Sequence, residues 1–134
     1  MTRLATAIVL ALALSAAGCA TSTAQDPAYA AKAAPASSQG DVLTDGNGMT
    51  LYVFDRDVAG NGKSACNGPC AANWPPLPAG DDSTAFGQYT IIVRDDGAKQ
   101  WAYKGKPLYR WSKDQKSGDR TGDNFNNVWH VATP

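Results

Sequence analysis

Leu51-Tyr52-Val53-Phe54-Asp55-Arg56-Asp57 and Leu108-Tyr109-Arg110-Trp111-Ser112-Lys113-Asp114 are the two stretches of sequence that decide the fold. They match at Leu, at Tyr, at the second aromatic residue and at the final Asp, with an offset of 57 residues. An Asp-Gly pair precedes each copy, and a Trp follows each at nearly equal spacing, Trp74 and Trp129. Because solenoids and propellers need at least three repeats, two copies predict one domain with an internal two-fold repeat.

Each copy of this repeat motif contains two aromatic residues at alternate positions and a later Asp: Tyr52, Phe54 and Asp57 in the first copy, and Tyr109, Trp111 and Asp114 in the second. On a strand, the two aromatic residues of a copy point to one face, so we expect both pairs to meet in a shared core. Asp57 begins Asp57-Val58-Ala59-Gly60, the pattern of a type I turn in which the Asp carboxylate accepts a backbone N–H. We therefore interpret the motif as core aromatic residues followed by a turn cap.

The composition favours strands and turns over helices. All 12 acidic residues are Asp, and 12 Lys and Arg residues balance them to a net charge of zero. Glu is a good helix former, whereas Asp, Gly and Pro favour caps and turns, so the composition argues against a helical bundle. The zero net charge gives no electrostatic footprint for nucleic acid, and we expect no nucleic-acid partner.

Residues 41–134 show short apolar segments separated by Gly, Asp and Asn, as in a small β domain. The predicted strands are Thr50–Phe54, Tyr89–Arg94, Gln100–Tyr103, Leu108–Trp111 and Val128–Ala132. Turn residues between the middle three predict a meander over 89–111, and Pro69–Asn73 is predicted as a single helical turn. The predicted fold class is all-β, a small antiparallel β domain, sandwich or barrel-like, with the internal two-fold repeat.

The N-terminus has the pattern of an export signal. Arg3 precedes Leu4–Ala17, an apolar run of 14 residues, and Gly18-Cys19 follows it. This run is shorter than the roughly 20 residues that span a bilayer, so residues 1–18 are predicted to be a signal peptide and not a permanent transmembrane helix. We therefore expect an exported protein.

Cys19 indicates how the signal is removed. Ala16-Ala17-Gly18-Cys19 resembles the bacterial lipobox, in which the Cys is lipidated and becomes the mature N-terminus, although that motif usually has an aliphatic residue at the place of Ala16. Plain cleavage after Ala20 or Ala24 is the alternative. Lipidation of Cys19 would leave an even number of cysteines. Residues 19–40, rich in Ala, Ser and Pro, are then predicted to be a flexible tether.

Several motifs in one order carry a family resemblance: Cys66-Asn67-Gly68-Pro69-Cys70, Asn73-Trp74-Pro75-Pro76, Gln100-Trp101-Ala102-Tyr103, Trp129-His130-Val131 and the two repeat motifs. With them, residues 41–134 resemble secreted bacterial lipoproteins built on a repeat of unknown function, a family with the pattern Y-x-[FWY]-x-x-D. The resemblance implies an exported, often lipid-anchored, β-rich domain. It supplies no activity and no catalytic residues.

Cys66 and Cys70 have two interpretations. In the oxidising cell envelope they are expected to form a structural disulfide, whose short loop would contribute only about 2 kcal/mol by chain entropy. The alternative is a copper-binding or redox module in which both thiolates and His130, the single His of the chain, bind Cu(I). We favour the disulfide and expect no cofactor.

The aromatic content suggests a ligand surface. Exposed Trp rings beside Asn and Asp suit a glycan, and Trp74, Trp101 and Trp129 are the candidate residues for such a surface. The alternative is that at least three of the four Trp residues form the core. With no catalytic motif present, we expect a binding or structural module in the bacterial envelope that contacts the membrane through its lipid and binds a cell-wall, glycan or envelope-protein partner. Ala20 after Cys19 favours the outer membrane, on the periplasmic side.

Overall fold

The structure, a computed structural model, describes residues 37–134. The signal peptide over 1–18, Cys19 and the tether up to residue 36 lie outside the described residues. The elements in chain order are β1 (Ser37–Gln39), β2 (Val42–Thr44), β3 (Tyr52–Phe54), α1 (Pro69–Asn73), β4 (Tyr89–Val93), β5 (Lys99–Tyr103), β6 (Lys106–Pro107), a 3₁₀ turn (Phe125–Asn127) and β7 (Trp129–Val131). Strands dominate and the one α-helix in this part of the chain is a single turn, so the all-β prediction is confirmed.

The strands form three small antiparallel sheets. β1 pairs with β2, so the last residues of the predicted tether belong to a hairpin. β3 pairs with β7 from the far end of the chain, with Tyr52 opposite Val131. β4, β5 and β6 form the predicted meander, with Tyr89 opposite Tyr103. No helix over residues 37–134 is long and apolar enough to cross a membrane.

One predicted strand is wrong. The segment Leu108–Trp111 is not a strand, and the third strand of the meander is instead Lys106–Pro107. The reason is that Leu108 and Tyr109 change partners from residue to residue. The backbone N–H of Leu108 donates to Trp101, whereas Tyr109 bridges both Tyr52 and Pro76. No single neighbour continues long enough to form a ladder. The predicted helical turn at Pro69–Asn73 is confirmed.

The repeat motifs meet at the centre of the molecule. Tyr52 and Tyr109, the matching residues of the two copies, exchange backbone hydrogen bonds: each N–H donates to the carbonyl of the other, at N···O distances of 2.8 and 3.0 Å. Such a mutual pair joins two equivalent antiparallel segments and places them on a pseudo-two-fold axis. The internal two-fold repeat predicted from the sequence is therefore present in the backbone.

Around this axis, three backbone hydrogen bonds close a ring in each half of the molecule. One ring joins Leu43, Leu51 and Ala132, and the other joins Trp101, Leu108 and Leu77. In each ring the third residue comes from the opposite copy: Ala132 belongs to the end of the second copy, and Leu77 to the end of the first. Each copy thus completes the pairing of the other, and neither can satisfy its backbone groups alone.

The core of the molecule contains a column of stacked aromatic rings. Trp74 stacks on Trp129 at a centroid distance of 3.9 Å and on Trp111 at 4.0 Å. Trp129 in turn stacks on Phe54 at 4.2 Å. All four side chains are buried, together with Tyr52 and Tyr109. A second cluster, around Leu51, Leu108 and Trp101, fills the space beneath the meander.

Gly122 is needed where the chain crosses this column. A Cβ atom at that position would lie 2.7 Å from a ring carbon of Trp74 and 3.0 Å from one of Trp111. Both rings are held in the stack and cannot move aside, so we expect Gly122→Ala to lower the free energy of unfolding by about 1–3 kcal/mol. Urea unfolding followed by circular dichroism measures the loss. Gly46→Ala, where nothing lies within 4 Å, is the matched control, and an equal loss in both variants would contradict this account.

Candidate functional site

The polar side chains of the repeat motif bind each other across the axis. The Tyr52 hydroxyl of the first copy donates to Asp114 Oδ2 of the second, at 2.6 Å. The Tyr109 hydroxyl of the second copy donates to Asp57 Oδ2 of the first, at 2.7 Å. All four side chains are buried. The motif therefore forms two reciprocal Tyr–Asp pairs that fasten one half of the molecule to the other.

The remaining carboxylate oxygens cap loops of their own half. Asp57 Oδ1 accepts the backbone N–H of Ala65, and Asp114 Oδ1 accepts the backbone N–H of Thr121. The turn-cap interpretation is thus correct in that each Asp accepts a backbone N–H. It is wrong about which one, because the N–H that Asp57 accepts belongs to a loop eight residues further on and not to the turn that begins at Asp57.

Burial shifts the pKa of these groups upwards. Burial, followed by the Asp114 carboxylate, raises the pKa of Tyr52 far above its ordinary value, and burial does the same for Tyr109. Burial also raises the pKa of Asp57, against the opposing effect of the hydrogen bonds from Ala65 and Tyr109. The tyrosines are therefore neutral donors under all physiological conditions, and the aspartates are their acceptors.

A buried cation extends the Asp57 pair. Arg94, the residue directly after β4, is 5% exposed, and its guanidinium donates to Ser64 Oγ at 2.8 Å and to Gln100 Oε1 at 2.7 Å. Because the Tyr109 hydroxyl donates its hydrogen to Asp57, the Ser64 hydroxyl is the donor in its hydrogen bond to Tyr109, at 2.7 Å. Hydrogen bonds thus run in one direction from the guanidinium to the Asp57 carboxylate. This series of hydrogen bonds connects the buried positive charge of Arg94 to the buried carboxylate of Asp57, and buried charges are stable only when such partners satisfy them.

The disulfide belongs to the same region. Cys66 and Cys70 are joined, with Cα atoms 5.3 Å apart, and Cys66 is fully buried. The Cys66 carbonyl accepts a hydrogen bond from Arg94. The disulfide closes the loop that leads into α1. It also fixes the Cys66 carbonyl, which accepts the hydrogen bond from the Arg94 guanidinium. Its position supports the structural interpretation of the two cysteines.

The structure does not assemble the alternative copper site. His130 lies on β7, where its Nε2 is 2.8 Å from Asp55 Oδ2 and its Nδ1 is 3.2 Å from Asn124 Oδ1. The two sulfurs that were its expected co-ligands are bonded to each other. Within residues 37–134, no group of three or more His, Cys, Asp or Glu side chains is arranged to hold a metal ion.

The Trp residues do not form the predicted ligand surface. Trp74 is 3% exposed, Trp101 1% and Trp129 3%, so the rings that a glycan would need are inside the protein. The physical reason is the shortage of other large apolar residues: in so small a domain the largest side chains are needed to fill the core. The alternative that at least three Trp residues form the core is the correct one.

A different set of aromatic residues lies at the surface. Phe86 is 48% exposed, and its ring stacks on Tyr89 at a centroid distance of 5.1 Å. Tyr89 is tilted against Tyr103, its cross-strand partner, at 4.8 Å. The Lys104 ammonium lies 5.3 Å from the centre of the Tyr103 ring. We call these four residues the aromatic strip.

Trp101 supports the strip from beneath. Its ring meets Phe86 edge-to-face at 6.0 Å and Tyr89 at 6.4 Å, and both Tyr residues of the strip pack against its cluster. A buried ring thus holds two half-exposed rings in place. The strip is a fixed surface and not a set of loose side chains.

A cleft of about 190 Å³ is lined by Met49, Thr50, Pro75, Arg110, Trp111, Ser112 and Asp114. Its charged groups already have partners. Arg110 pairs with Asp45 at 3.3 Å, and Asp114 is held by Tyr52 and Thr121. The two charged residues that line the cleft are thus engaged with other groups of the fold.

Sequence reasoning missed Arg94 and the aromatic strip. A signal for Arg94 was present, because alternation along β4 puts it on the same face as Ile92, which is buried. The strip had a weaker signal, since Tyr89 and Tyr103 are placed opposite each other only by the register of β4 and β5. Phe86 lies in the preceding loop and joins them through tertiary structure alone.

Fold and site together define a small all-β protein made of two interlocked copies of one unit. The chain belongs to a family described as a secreted repeat of unknown function, whose model matches twice, over residues 35–78 and 90–133. The first match ends just after Leu77 and the second just after Ala132. These are the residues that each copy contributes to the hydrogen-bond ring of the other half. No curated protein and no solved structure matches the chain. The membership confirms the resemblance seen in the sequence, and the family is a secreted one.

Proposed function

We propose that the protein is a non-enzymatic binding module of the bacterial cell envelope, held to a membrane by a lipid on Cys19. The observation that carries the binding role is the aromatic strip. Most of the aromatic rings in residues 37–134 are in the core, whereas Phe86 is exposed, Tyr89 and Tyr103 are only partly buried, and Trp101 contacts Phe86 and Tyr89 from beneath. Exposed and preorganised aromatic rings are typical of binding surfaces, because little side-chain entropy is lost on contact.

A binding role agrees with how the motif residues are used. Catalysis by carboxylates needs a group that is free to accept or donate a proton at a substrate. Asp57 and Asp114 are buried and each holds a tyrosine hydroxyl and a backbone N–H, so their hydrogen-bonding capacity serves the fold. The repeat thus acts as a scaffold for the surface on β4 and β5.

The lipid anchor rests on the sequence around Cys19 and on the secreted family. The apolar run of residues 4–17 ends at small residues and a Cys, and acylation of that Cys removes the odd thiol left by the Cys66–Cys70 disulfide. We place the anchor in the outer membrane, facing the periplasm, because Ala20 follows Cys19. Residues up to 36 then separate the domain from the lipid headgroups.

The anchor is tested with the full chain expressed in a bacterium that processes lipoproteins. We expect the mature N-terminal peptide to begin at Cys19 with the mass of an acylated cysteine, and the protein to sediment with membranes. In the Cys19→Ala variant, the protein should remain an unprocessed precursor or appear in the soluble fraction. Ala24→Arg, which blocks plain cleavage after Ala24, one of the two alternative positions, should change nothing. A mature chain that begins at Thr21 or Gln25 without lipid would refute the anchor.

A further inference from the structure

We infer that a second copy of this chain pairs with the free edge of β4 and joins two molecules through one antiparallel sheet. β4 is the outer strand of the sheet β4–β5–β6, and within residues 37–134 no other strand pairs with its far side. The edge strand of a sheet carries unpaired N–H and C=O groups, which another strand can bind. The inference concerns this edge and goes beyond the proposed binding role of the aromatic strip.

The hydrogen bonds of β4 show which of its residues face the free edge. The backbone N–H of Arg94 donates to the carbonyl of Ala98, at 2.8 Å, in the hairpin that joins β4 to β5. Residues along an antiparallel pair bond to the partner strand alternately, so Ile92, two positions earlier, also bonds to β5. Ile91 and Val93 therefore direct their N–H and C=O groups away from β5, towards the free edge.

The free edge is short and has defined ends. At one end, the N–H of Tyr89 donates to the Phe86 carbonyl at 2.9 Å, and the N–H of Phe86 donates back to the Tyr89 carbonyl at 3.0 Å. At the other end, the strand stops at Val93. The edge thus consists of Ile91 and Val93, which together offer two N–H and two C=O groups.

The sequence of β4 lacks the residues that usually protect a sheet edge. Proteins block strand addition with Lys, Pro or a bulge, whereas Tyr89–Val93 contains no charged residue and no Pro. Val93 is 50% exposed, and Ile91 is partly buried. The strand at the opposite side of the same sheet, β6, consists of Lys106 and Pro107. Of the two outer strands of this sheet, β4 is the one suited to accept a further strand.

A second copy is the occupant because the edge is complementary to itself. With a two-fold axis at Ile92, Ile91 of one copy lies opposite Val93 of the other, and the reverse. Each free N–H then meets a free C=O, which gives four hydrogen bonds, and each β-branched side chain packs against another. A register shifted by two residues would place an edge residue opposite Tyr89, whose groups are already bonded, or opposite Asp95, which lies in a turn.

The charges also agree with antiparallel pairing. Asp95 and Asp96 follow the C-terminal end of β4, whereas Lys104 lies beside the N-terminal end, where its N–H donates to the Gln88 carbonyl at 3.0 Å. Antiparallel pairing brings the acidic end of one copy alongside the basic end of the other, and the two-fold axis makes this contact twice. Because the net charge of the chain is zero, no overall repulsion opposes the association of two copies.

Such a dimer has a consequence for the aromatic strip. Residues that face each other across an antiparallel pair lie on one face of the sheet, so Tyr89 of both copies lies on the same face. The dimer therefore presents two aromatic strips on one face. If the strip binds as proposed, the dimer is bivalent and binds a repetitive partner more tightly than one copy does. This consequence rests on the proposed binding role, whereas the pairing itself does not.

Disulfide trapping in the full chain, exported by a bacterium, tests the register. Ile92 lies on the proposed axis, where the two facing Cα atoms are about 4.5 Å apart, within the range that a disulfide spans. Ile92→Cys should form a linked dimer, with a linked peptide whose mass places the bond at position 92 of both chains. Val93→Cys is the matched control. Val93 is more exposed, but its two Cα atoms would be about 9 Å apart, too far for a disulfide, so we expect about tenfold less dimer.

A charge on the edge separates pairing from random collision. In the Ile92→Cys chain, Val93→Lys places a charge beside Ile91 of the other copy and should lower the yield of linked dimer about threefold to tenfold. Val58→Lys is the matched control, because Val58 is 62% exposed and lies outside β4, and it should leave the yield unchanged. Circular dichroism of each variant checks that the fold is kept.

Native mass spectrometry of the wild-type chain counts the copies without any substitution at Ile92. We expect two copies per particle at high protein concentration, and mostly one after Val93→Lys alone. A wild type that stays monomeric at every concentration, or a dimer that is insensitive to Val93→Lys, would overturn the pairing. Equal disulfide yields from Ile92→Cys and Val93→Cys would overturn it as well.

Two further results would reject the pairing for identifiable reasons. A monomer in which the amides of Ile91 and Val93 resist hydrogen exchange would mean that another segment of the same chain covers the edge. A monomer that binds a ligand through the aromatic strip would reject the dimer and leave the proposed binding role intact. Conversely, a dimer with the predicted register whose strip binds nothing would refute the binding role and not the pairing.

Discussion

Replacement of Trp74 by Ala should cost the protein a large share of its stability. Trp74 lies in the middle of the aromatic column, between Trp111 and Trp129, and also meets Tyr52 edge-to-face at 5.3 Å. Truncating a buried Trp costs about 3–5 kcal/mol, and a domain of this size has about 5–15 kcal/mol in total. Each stacked pair adds roughly 0.5–1.5 kcal/mol beyond burial. We therefore expect the loss to reach the upper end of the range for truncation of a buried Trp. Urea unfolding followed by far-ultraviolet circular dichroism measures it.

Trp101→Ala is the matched control for this prediction. Trp101 is buried to the same degree, but it belongs to the second cluster and its ring contacts with Phe86 and Tyr89 are edge-to-face and longer. If the column contributes more than buried area, Trp74→Ala should lose about 1 kcal/mol more than Trp101→Ala. Trp74→Phe should recover part of the loss. Equal losses at positions 74 and 101 would mean that stacking adds nothing to burial.

The repeat could be predicted because it is written in residue types at fixed spacing. Tyr52 and Tyr109, with an aromatic residue two positions later, have the period of a strand, and their burial follows from that period. The two Trp residues after the copies gave a further match. The spacing of the residues could not show that each Tyr binds the Asp of the other copy. The partner of Tyr52 is Asp114 and not Asp57, and local sequence favours the near residue over the far one.

The ligand surface was mispredicted for a related reason. Residue type alone ranks Trp first among exposed aromatic contacts, but a small domain needs its largest apolar side chains inside. The sequence contains few large aliphatic residues after position 41, so the indoles of Trp74, Trp101 and Trp129 are taken into the core. The smaller rings of Phe86, Tyr89 and Tyr103 remain at the edge of the meander, where only the strand register brings them together.

The interlocked copies imply that the two halves unfold as one. Leu77 completes the hydrogen-bond ring of the second half, and Ala132 that of the first, so opening either half leaves backbone groups of the other unpaired. The reciprocal Tyr–Asp pairs have the same effect on the side chains. A disturbance at the centre, where Tyr52 and Tyr109 meet, should therefore act on both halves at once. Alkaline pH is a way to apply that disturbance without mutation.

The protein should lose about 3 kcal/mol of stability between pH 9 and pH 11. Burial raises the pKa of Tyr52 and of Tyr109 well above the ordinary value of 10.0. A group whose folded pKa is raised contributes stability that is complete below pH 10 and is lost as pH rises towards the folded pKa, because the unfolded chain releases its proton first. At pH 11, one unit above the unfolded pKa, each tyrosine costs about 1.4 kcal/mol. Urea unfolding at both pH values gives the difference.

Phenylalanine variants show which tyrosines are responsible. Tyr52→Phe and Tyr109→Phe each leave an Asp without its donor and are less stable at pH 7, but each should remove about half of the loss between pH 9 and pH 11. Tyr103→Phe, whose ring is half-exposed in the aromatic strip, is the control and should leave that loss nearly unchanged. Tyrosinate absorbance should rise for the two buried rings only as the protein unfolds. A loss that persists in full after both buried tyrosines are replaced would show that the alkaline transition begins elsewhere and that the centre of the molecule does not control it.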